Sequence, residues 1–164
     1  MSRAVVAYGA NLGDREATID RAVRELADTP GVRLVAVSPV YESAAIKLDG
    51  VDHEAPGYLN GVVVLEVELA PLVLLERLLE IEAAHGRDRS PDAERWGDRT
   101  LDLDLIDVDG LQVDDERLTL PHPRAWQRAF VLQPWLDVEP DAVLAGRGPI
   151  AVLRAQADDE VVRR

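Results

Sequence analysis

The sequence predicts an α+β fold with the order strand, helix, strand, strand, helix, strand, and three observations carry that reading. Apolar residues alternate between a period near two and a helical period along the first 108 residues. The changes of period fall at turn and helix-start signals: Gly9-Ala10-Asn11-Leu12-Gly13, Pro30-Gly31, Pro71 and His85-Gly86. The third observation is size. A chain of 164 residues without cysteine can bury one sizeable core and has no disulfides to rely on.

Residues 3–8 form a short apolar strand, ended by the glycine turn at 9–13. Asp14 is placed to cap a helix in which Ile19, Ala22, Val23 and Leu26 recur at helical spacing until Pro30-Gly31. Residues 32–41 alternate loosely as a second strand. Residues 47–57 contain Pro56 and two glycines and read as an irregular loop able to close over a ligand. Residues 58–69 carry Val62, Val63, Val64, Leu65 and Val67, the β-branched run of a central strand. Pro71 starts a second helix with an apolar face of Leu74, Leu75, Leu78, Leu79 and Ile81, capped by Gly86.

Residues 86–98 are a polar loop with Pro91 and most of a group of arginines, and residues 100–108 are the next strand. Asp109-Gly110 is a hairpin signal leading into Leu111-Gln112-Val113. To Val108 the order is that of a split βαβ, or ferredoxin-like, antiparallel sheet. Beyond it lie Pro121-His122-Pro123, a helical segment over 124–136 and a weakly structured tail. No repeat or composition shift divides the chain, so residues 1–164 read as one domain.

The net charge of −13 and pI near 4.6 argue against nucleic acid or anionic membrane as a partner. The N-terminal apolar run is too short for a signal peptide, and no stretch is long enough to cross a bilayer, so a cytoplasmic protein is expected. Against that acidic background Arg87, Arg89, Arg95 and Arg99 fall within 13 residues, and the only lysine is Lys47. Guanidinium groups fork onto phosphate oxygens, so the group suggests an anion site; a set of solvated surface charges is the plainer alternative.

Asp102 and Asp104 follow directly. At a side-chain period of two they share one strand face, about 6 to 7 Å apart, with Leu101, Leu103 and Leu105 on the other. Adjacent carboxylates stay ionised when a cation lies between them, and Mg²⁺ takes one or two carboxylates and completes its shell with water and phosphate oxygens. An isolated Asp-x-Asp on a strand is more often solvated; the flanking leucines and arginines favour a site.

Other candidates keep two readings each. Trp96 can stack on a base or cap the core. Asn60, after Tyr58-Leu59, can present its amide to a heterocycle or satisfy a strand end. Glu82 and His85 close the second helix, where Glu82 is either a surface residue or a neighbour of the Gly86-Arg87 site. His122, between two prolines, is placed to donate to a phosphate, whereas no second histidine is spaced to make it a metal ligand. The glycine turn matches no common phosphate loop and reads as structural. A ligand-binding regulatory module and a Mg²⁺-dependent phosphatase are the alternatives to a phosphoryl-type transferase.

Taken together, the motifs resemble the 6-hydroxymethyl-7,8-dihydropterin pyrophosphokinase family of folate biosynthesis. The resemblance rests on Gly9-Ala10-Asn11-Leu12-Gly13, Tyr58-Leu59-Asn60, Gly86-Arg87, Glu94-Arg95-Trp96-Gly97, Arg99-Thr100-Leu101-Asp102-Leu103-Asp104, Leu120-Pro121-His122-Pro123-Arg124 and Arg128-Ala129-Phe130-Val131-Leu132. It implies transfer of the β,γ-pyrophosphoryl group of ATP to the pterin hydroxymethyl, with AMP released, by a monomer. It further implies Asp102 and Asp104 as ligands of two Mg²⁺ ions. Arg87 and Arg99 match phosphate contacts, with Arg89 and Arg95 as loop partners. Tyr58, Asn60 and Phe130 match pterin contacts, with Trp96 and the backbone around Ser43, Ala44 and Ile46. Glu82, Trp96, Arg117, Thr119, His122 and Arg128 match nucleotide-side positions.

Overall fold

Ala4, Val6, Tyr8 and Ala10 of the first strand bury in one apolar cluster, while Val5 and Ala7 bury in another, so the sheet is covered on both faces. The computed structural model describes residues 1–11, 13–43, 45–47, 50–52, 57–85 and 101–164, with 45–47 and 50–52 as backbone. In chain order the elements begin β1 (Ser2–Ala10), α1 (Arg15–Ala27), β2 (Val32–Val37), β3 (Tyr41–Ser43), β4 (Ala45–Lys47), β5 (Gly50–Asp52), β6 (Tyr58–Val67) and α2 (Pro71–Ala84). They continue with β7 (Asp102–Val108), β8 (Val113–Asp114), β9 (Thr119–Leu120), a 3-10 turn (Ala125–Gln127), α3 (Ala129–Val138), β10 (Val143–Leu144), β11 (Gly148–Pro149), α4 (Ile150–Gln156) and β12 (Val162–Arg163).

The main sheet runs β12-β3-β6-β1-β7, with β2 beside the far part of β6, and every pair is antiparallel. That is the ferredoxin-like split βαβ: β6 lies between β1 and the β2/β3 line, and β7 flanks β1 on the other side. Helices α1 and α2 cover one face through Ile19, Ala22, Leu26, Leu74, Leu78 and Ile81. Full burial of side chains such as Leu74, Leu78 and Ile81 is worth about 1.5 to 3 kcal/mol each. On the other face α3 and α4 pack Val131, Leu132, Trp135, Ile150 and Leu153 against Val5, Val62 and Ile106.

The helix starts follow their signals. Asp14 accepts from Ala17 N at 3.1 Å to cap α1, and Pro71 opens α2. Several expectations are corrected. The strand over 32–41 is broken at Ser38-Pro39-Val40, because Pro39 has no N–H for the ladder; Ser38 Oγ instead accepts from Val62 N at 2.9 Å. Part of the irregular loop is a two-stranded ladder of β4 with β5. Gly9 and Ala10 belong to β1, not to a turn.

The fourth correction concerns Asp109-Gly110. The turn forms, with both residues at positive φ and Leu111 N donating to Val108 O, but β8 pairs with β9 and not with β7. Asp109 bonds back to the backbone of Arg3 through both its N–H and its carboxylate, which carries the chain past the sheet, and His122 N takes Ile106 O on the edge of β7. Finally, the helix over 124–136 is a 3-10 turn and then α3, divided by the extended backbone of Arg128. The tail carries β10, β11, α4 and β12. No helix among the described residues is long and apolar enough to cross a membrane.

Candidate active site

Asp102 and Asp104 lie on the sheet face that α3 covers. Leu103 and Leu105, between and after them, bury in the cluster under α1 and α2. The register sets Asp102 opposite Gly9 and Asp104 opposite Ala7. Along that face of β1 the residues shrink from Val5 to Ala7 to Gly9, so the sheet floor opens toward the two half-buried carboxylates. The floor continues across β6. Asn60 is also opposite Gly9, which places Asn60 and Asp102 two strand spacings apart, about 10 Å.

Gly9 sits at a close approach. A Cβ there would stand 3.1 Å from Asn60 Nδ2 and 3.5 Å from the Tyr58 ring. Asn60 is buried, and its Oδ1 accepts from Ser43 Oγ at 2.6 Å. That bond orients the amide with Oδ1 toward β3 and Nδ2 toward β1. The neighbouring Tyr41 on β3 hydrogen-bonds Asp137 of α3 through its hydroxyl, joining the strand that bears Ser43 to the helix that bears Phe130. Burial and the bond to Asp137 hold the Tyr41 hydroxyl pKa above its ordinary value.

His122, Arg128 and Asp104 form the electrostatic centre of the site. Burial pushes the His122 imidazole below its ordinary pKa; Asp104 opposes that, while Arg128 and Arg124 add to it. His122 Nδ1 accepts from Arg124 N at 3.2 Å, so a neutral ring carries its proton on Nε2. Arg128 is likewise lowered by burial and held up by Asp104, and its guanidinium lies 5.3 Å from the centre of the Phe130 ring. One donor tautomer, one half-buried cation and one aromatic ring thus stand beside the carboxylate pair.

Among the expected site residues, Ser43, Tyr58, Asn60, Asp102, Asp104, His122, Arg128 and Phe130 come together on this face. Glu82 does not. It is buried on α2, on the other side of the sheet, where Oε2 accepts from Leu103 N at 2.8 Å. The surface reading of Glu82 is therefore corrected: it holds the backbone between the two aspartates. His85, at the C-cap of α2, bonds Glu25 of α1 at 3.2 Å. Arg117 is exposed and pairs with Glu76 of α2 at 2.8 Å, and Thr119 sits in β9, which borders β7. Ala44, Arg87, Arg89, Arg95, Trp96, Arg99 and the side chain of Ile46 lie outside the described residues.

Sequence reasoning missed three contributors. Gly9 was expected in a turn, Tyr41 at the end of a strand, and Asp159 in a weakly structured tail. Only Gly9 carried a signal, since a glycine inside an apolar run marks a close approach as well as a turn. Among the described residues no three His, Asp or Glu side chains converge as a metal cage. The carboxylate pair on an open floor is the donor set of an ion that shares its shell with substrate oxygens, which fits magnesium.

Comparison with known proteins agrees with this geometry. Residues 5–140 match the family model of 7,8-dihydro-6-hydroxymethylpterin-pyrophosphokinase. A Methylorubrum extorquens protein named 2-amino-4-hydroxy-6-hydroxymethyldihydropteridine pyrophosphokinase is 44% identical over 146 residues, 89% of this chain and 88% of that one. A Pseudomonas aeruginosa protein of the same name is 38% identical over 164 residues, covering 100% of this chain and 97% of its own. In fold, the chain resembles a crystallised HPPK-DHPS in complex with substrates (TM-score 0.71, 12% identity) and the wild-type HPPK-DHPS of Plasmodium falciparum with pteroate (TM-score 0.69, 13% identity). Each match covers 94% of this chain, which spans under half of those longer chains, 43% and 42%. The chain belongs to the 7,8-dihydro-6-hydroxymethylpterin-pyrophosphokinase family.

Proposed function

We propose that this protein transfers the β,γ-pyrophosphoryl group of ATP to the hydroxymethyl group of 6-hydroxymethyl-7,8-dihydropterin, giving the pterin diphosphate and AMP in folate biosynthesis. Family membership supports the reaction. The observation that carries it at the level of residues is the meeting, on one end of one sheet face, of a carboxylate pair with Asn60, Tyr58, Ser43 and Phe130. A heterocycle and a polyphosphate can lie side by side there, about 10 Å from centre to centre across Gly9.

On this reading the pterin edge meets the Asn60 amide, which Ser43 orients, and Phe130 covers the ring. Tyr58 and the backbone around Ser43, Ala44 and Ile46 complete that side, with Trp96. Asp102 and Asp104 would hold two Mg²⁺ ions. When bound, magnesium neutralises phosphate charge and holds the polyphosphate in line. His122 donates from Nε2, and Arg128 from its guanidinium, to phosphate oxygens. Arg87 and Arg99, with Arg89 and Arg95, supply the further cationic contacts. Thr119 and Arg117 border the nucleotide from the outer edge of β7, and Glu82 acts on that side through the backbone at Leu103.

The hydroxymethyl oxygen forms a bond to Pβ as the bond from Pβ to the bridging oxygen on Pα breaks. AMP keeps that oxygen, and the hydroxyl proton leaves to solvent or a neighbouring carboxylate. A loose transition state needs positioning and charge neutralisation more than a strong base. We further take residues 1–164 to act as one domain, as a cytoplasmic monomer. Incubation with ATP, Mg²⁺ and the reduced pterin alcohol tests the function: AMP formed only with pterin supports it. Phosphate released without pterin, or binding without turnover, contradicts it in favour of a phosphatase or a regulatory module.

A further inference from the structure

Helix α3 begins without a cap of its own. Its N-cap residue, Arg128, has an extended backbone and makes no side-chain cap bond, and a guanidinium offers only donors. The first-turn N–H groups of a helix need an acceptor from somewhere. Asp159, thirty residues further along the chain, supplies it: Oδ1 accepts from Ala129 N at 2.8 Å. Its other oxygen, Oδ2, is buried with no hydrogen-bond partner among the described residues.

The segment that carries Asp159 is tied down at its far end. In β12, Val162 is opposite Glu42 and Arg163 opposite Tyr41, so the segment extends the sheet beside β3. Arg164 N donates to Val40 O at 2.9 Å, and its guanidinium reaches Glu42 at 2.9 Å and Glu16 of α1 at 3.0 Å. Seven residues from 158 to 164 therefore bridge the start of α3 to β3, the strand that bears Ser43. The two ends of this bridge are the two walls between which the pterin is proposed to sit.

We propose that Asp159 is a positioning residue of the active site, fixing Phe130 through the cap on Ala129. The inference rests on the reading of Phe130 given under the proposed function. Phe130 is the second residue of α3, so fraying of the first turn displaces its ring.

Steady-state kinetics on the full chain tests this. In Asp159→Ala, loss of the cap should raise the KM for the pterin about fivefold while the KM for ATP stays within about twofold. In Asp159→Asn the amide oxygen can still cap Ala129, so the pterin KM should return to within about twofold of wild type. Thermal melts on each variant report folding, and Phe130→Ala is the control. If Phe130→Ala weakens pterin use but Asp159→Ala leaves the pterin KM unchanged, or only lowers the melting temperature, the positioning role is overturned. If Phe130→Ala itself leaves the pterin KM unchanged, the reading of the site fails first.

Discussion

Gly9→Ala tests the site at its floor. The added Cβ would stand 3.1 Å from Asn60 Nδ2, tighter than ordinary contact, so the amide must retreat by a few tenths of an ångström. It has little room to do so, because Ser43 Oγ stands 2.6 Å from Oδ1 on the opposite side. Loss of good geometry in one hydrogen bond to the heterocycle costs roughly 0.5 to 1.5 kcal/mol, which corresponds to a pterin KM raised about 3- to 10-fold. The three nearest atoms to the new methyl belong to Asn60, Tyr58 and Leu59, none to Asp102, so the KM for ATP should stay within about twofold. Stability should change little, since strain on Asn60 is offset by about 0.4 to 1 kcal/mol of lost unfolded-state freedom.

The assay is AMP release at saturating ATP and Mg²⁺ with the pterin varied. A second variant, Ser43→Ala, removes the stop behind the amide. In the double variant Asn60 can slide, so the two substitutions should be less than additive. An unchanged pterin KM in Gly9→Ala, or an equal rise in both KM values, would refute the argument that Gly9 acts through Asn60.

Further predictions follow from single contacts. Tyr41→Phe removes the bond to Asp137 that joins β3 to α3 and should destabilise by about 1 to 2 kcal/mol, read by urea unfolding. Glu82→Ala leaves Leu103 N without its acceptor and should cost about 1 to 3 kcal/mol, whereas Glu82→Gln, which keeps an acceptor, should lose less; equal losses would contradict the contact. Arg117→Ala breaks an exposed pair with Glu76 and should change stability by less than about 1 kcal/mol, so any rise in the ATP KM reports a contact with nucleotide and not with the fold.

The parts of the fold visible in the sequence are those set by local periodicity. The apolar runs of β1 and β6, the alternation in β7 and the helical stripes of α1 and α2 are each satisfied within a few consecutive turns of chain, so the βαββαβ order is legible. The second layer of helices is not. Arg128 interrupts the helical pattern over 124–136, and the cap that restarts it comes from Asp159, a contact thirty residues distant that no local rule anticipates. The hairpin at Asp109-Gly110 shows the same limit. The turn obeys its dipeptide, but the partner of the following strand is chosen by tertiary bonds to Arg3 and by His122 on the edge of β7.

The site divides in the same way. Asp102 and Asp104 share a face because strand geometry requires it, and the structure keeps them there despite the bulge between β1 and β7 one step further along. The pairing of Ser43 with Asn60 depends on how separate segments meet, and the tautomer that Arg124 N imposes on His122 on the backbone geometry of the turn that holds both. Glu82 illustrates the difference most clearly: its sequence position suggests a surface helix end, while its carboxylate is buried and bonded to the strand between the aspartates.

The central claim is that the Asp102 and Asp104 pair serves transfer of an intact pyrophosphoryl group to the pterin. Phosphorus NMR of a reaction with ATP, Mg²⁺ and 6-hydroxymethyl-7,8-dihydropterin measures it directly. The account predicts AMP and pterin diphosphate in equal amounts from wild type, and at least about a hundredfold slower conversion by Asp102→Asn or Asp104→Asn with an unchanged circular dichroism spectrum. ADP or free phosphate as the product, or full turnover by either variant, would contradict it.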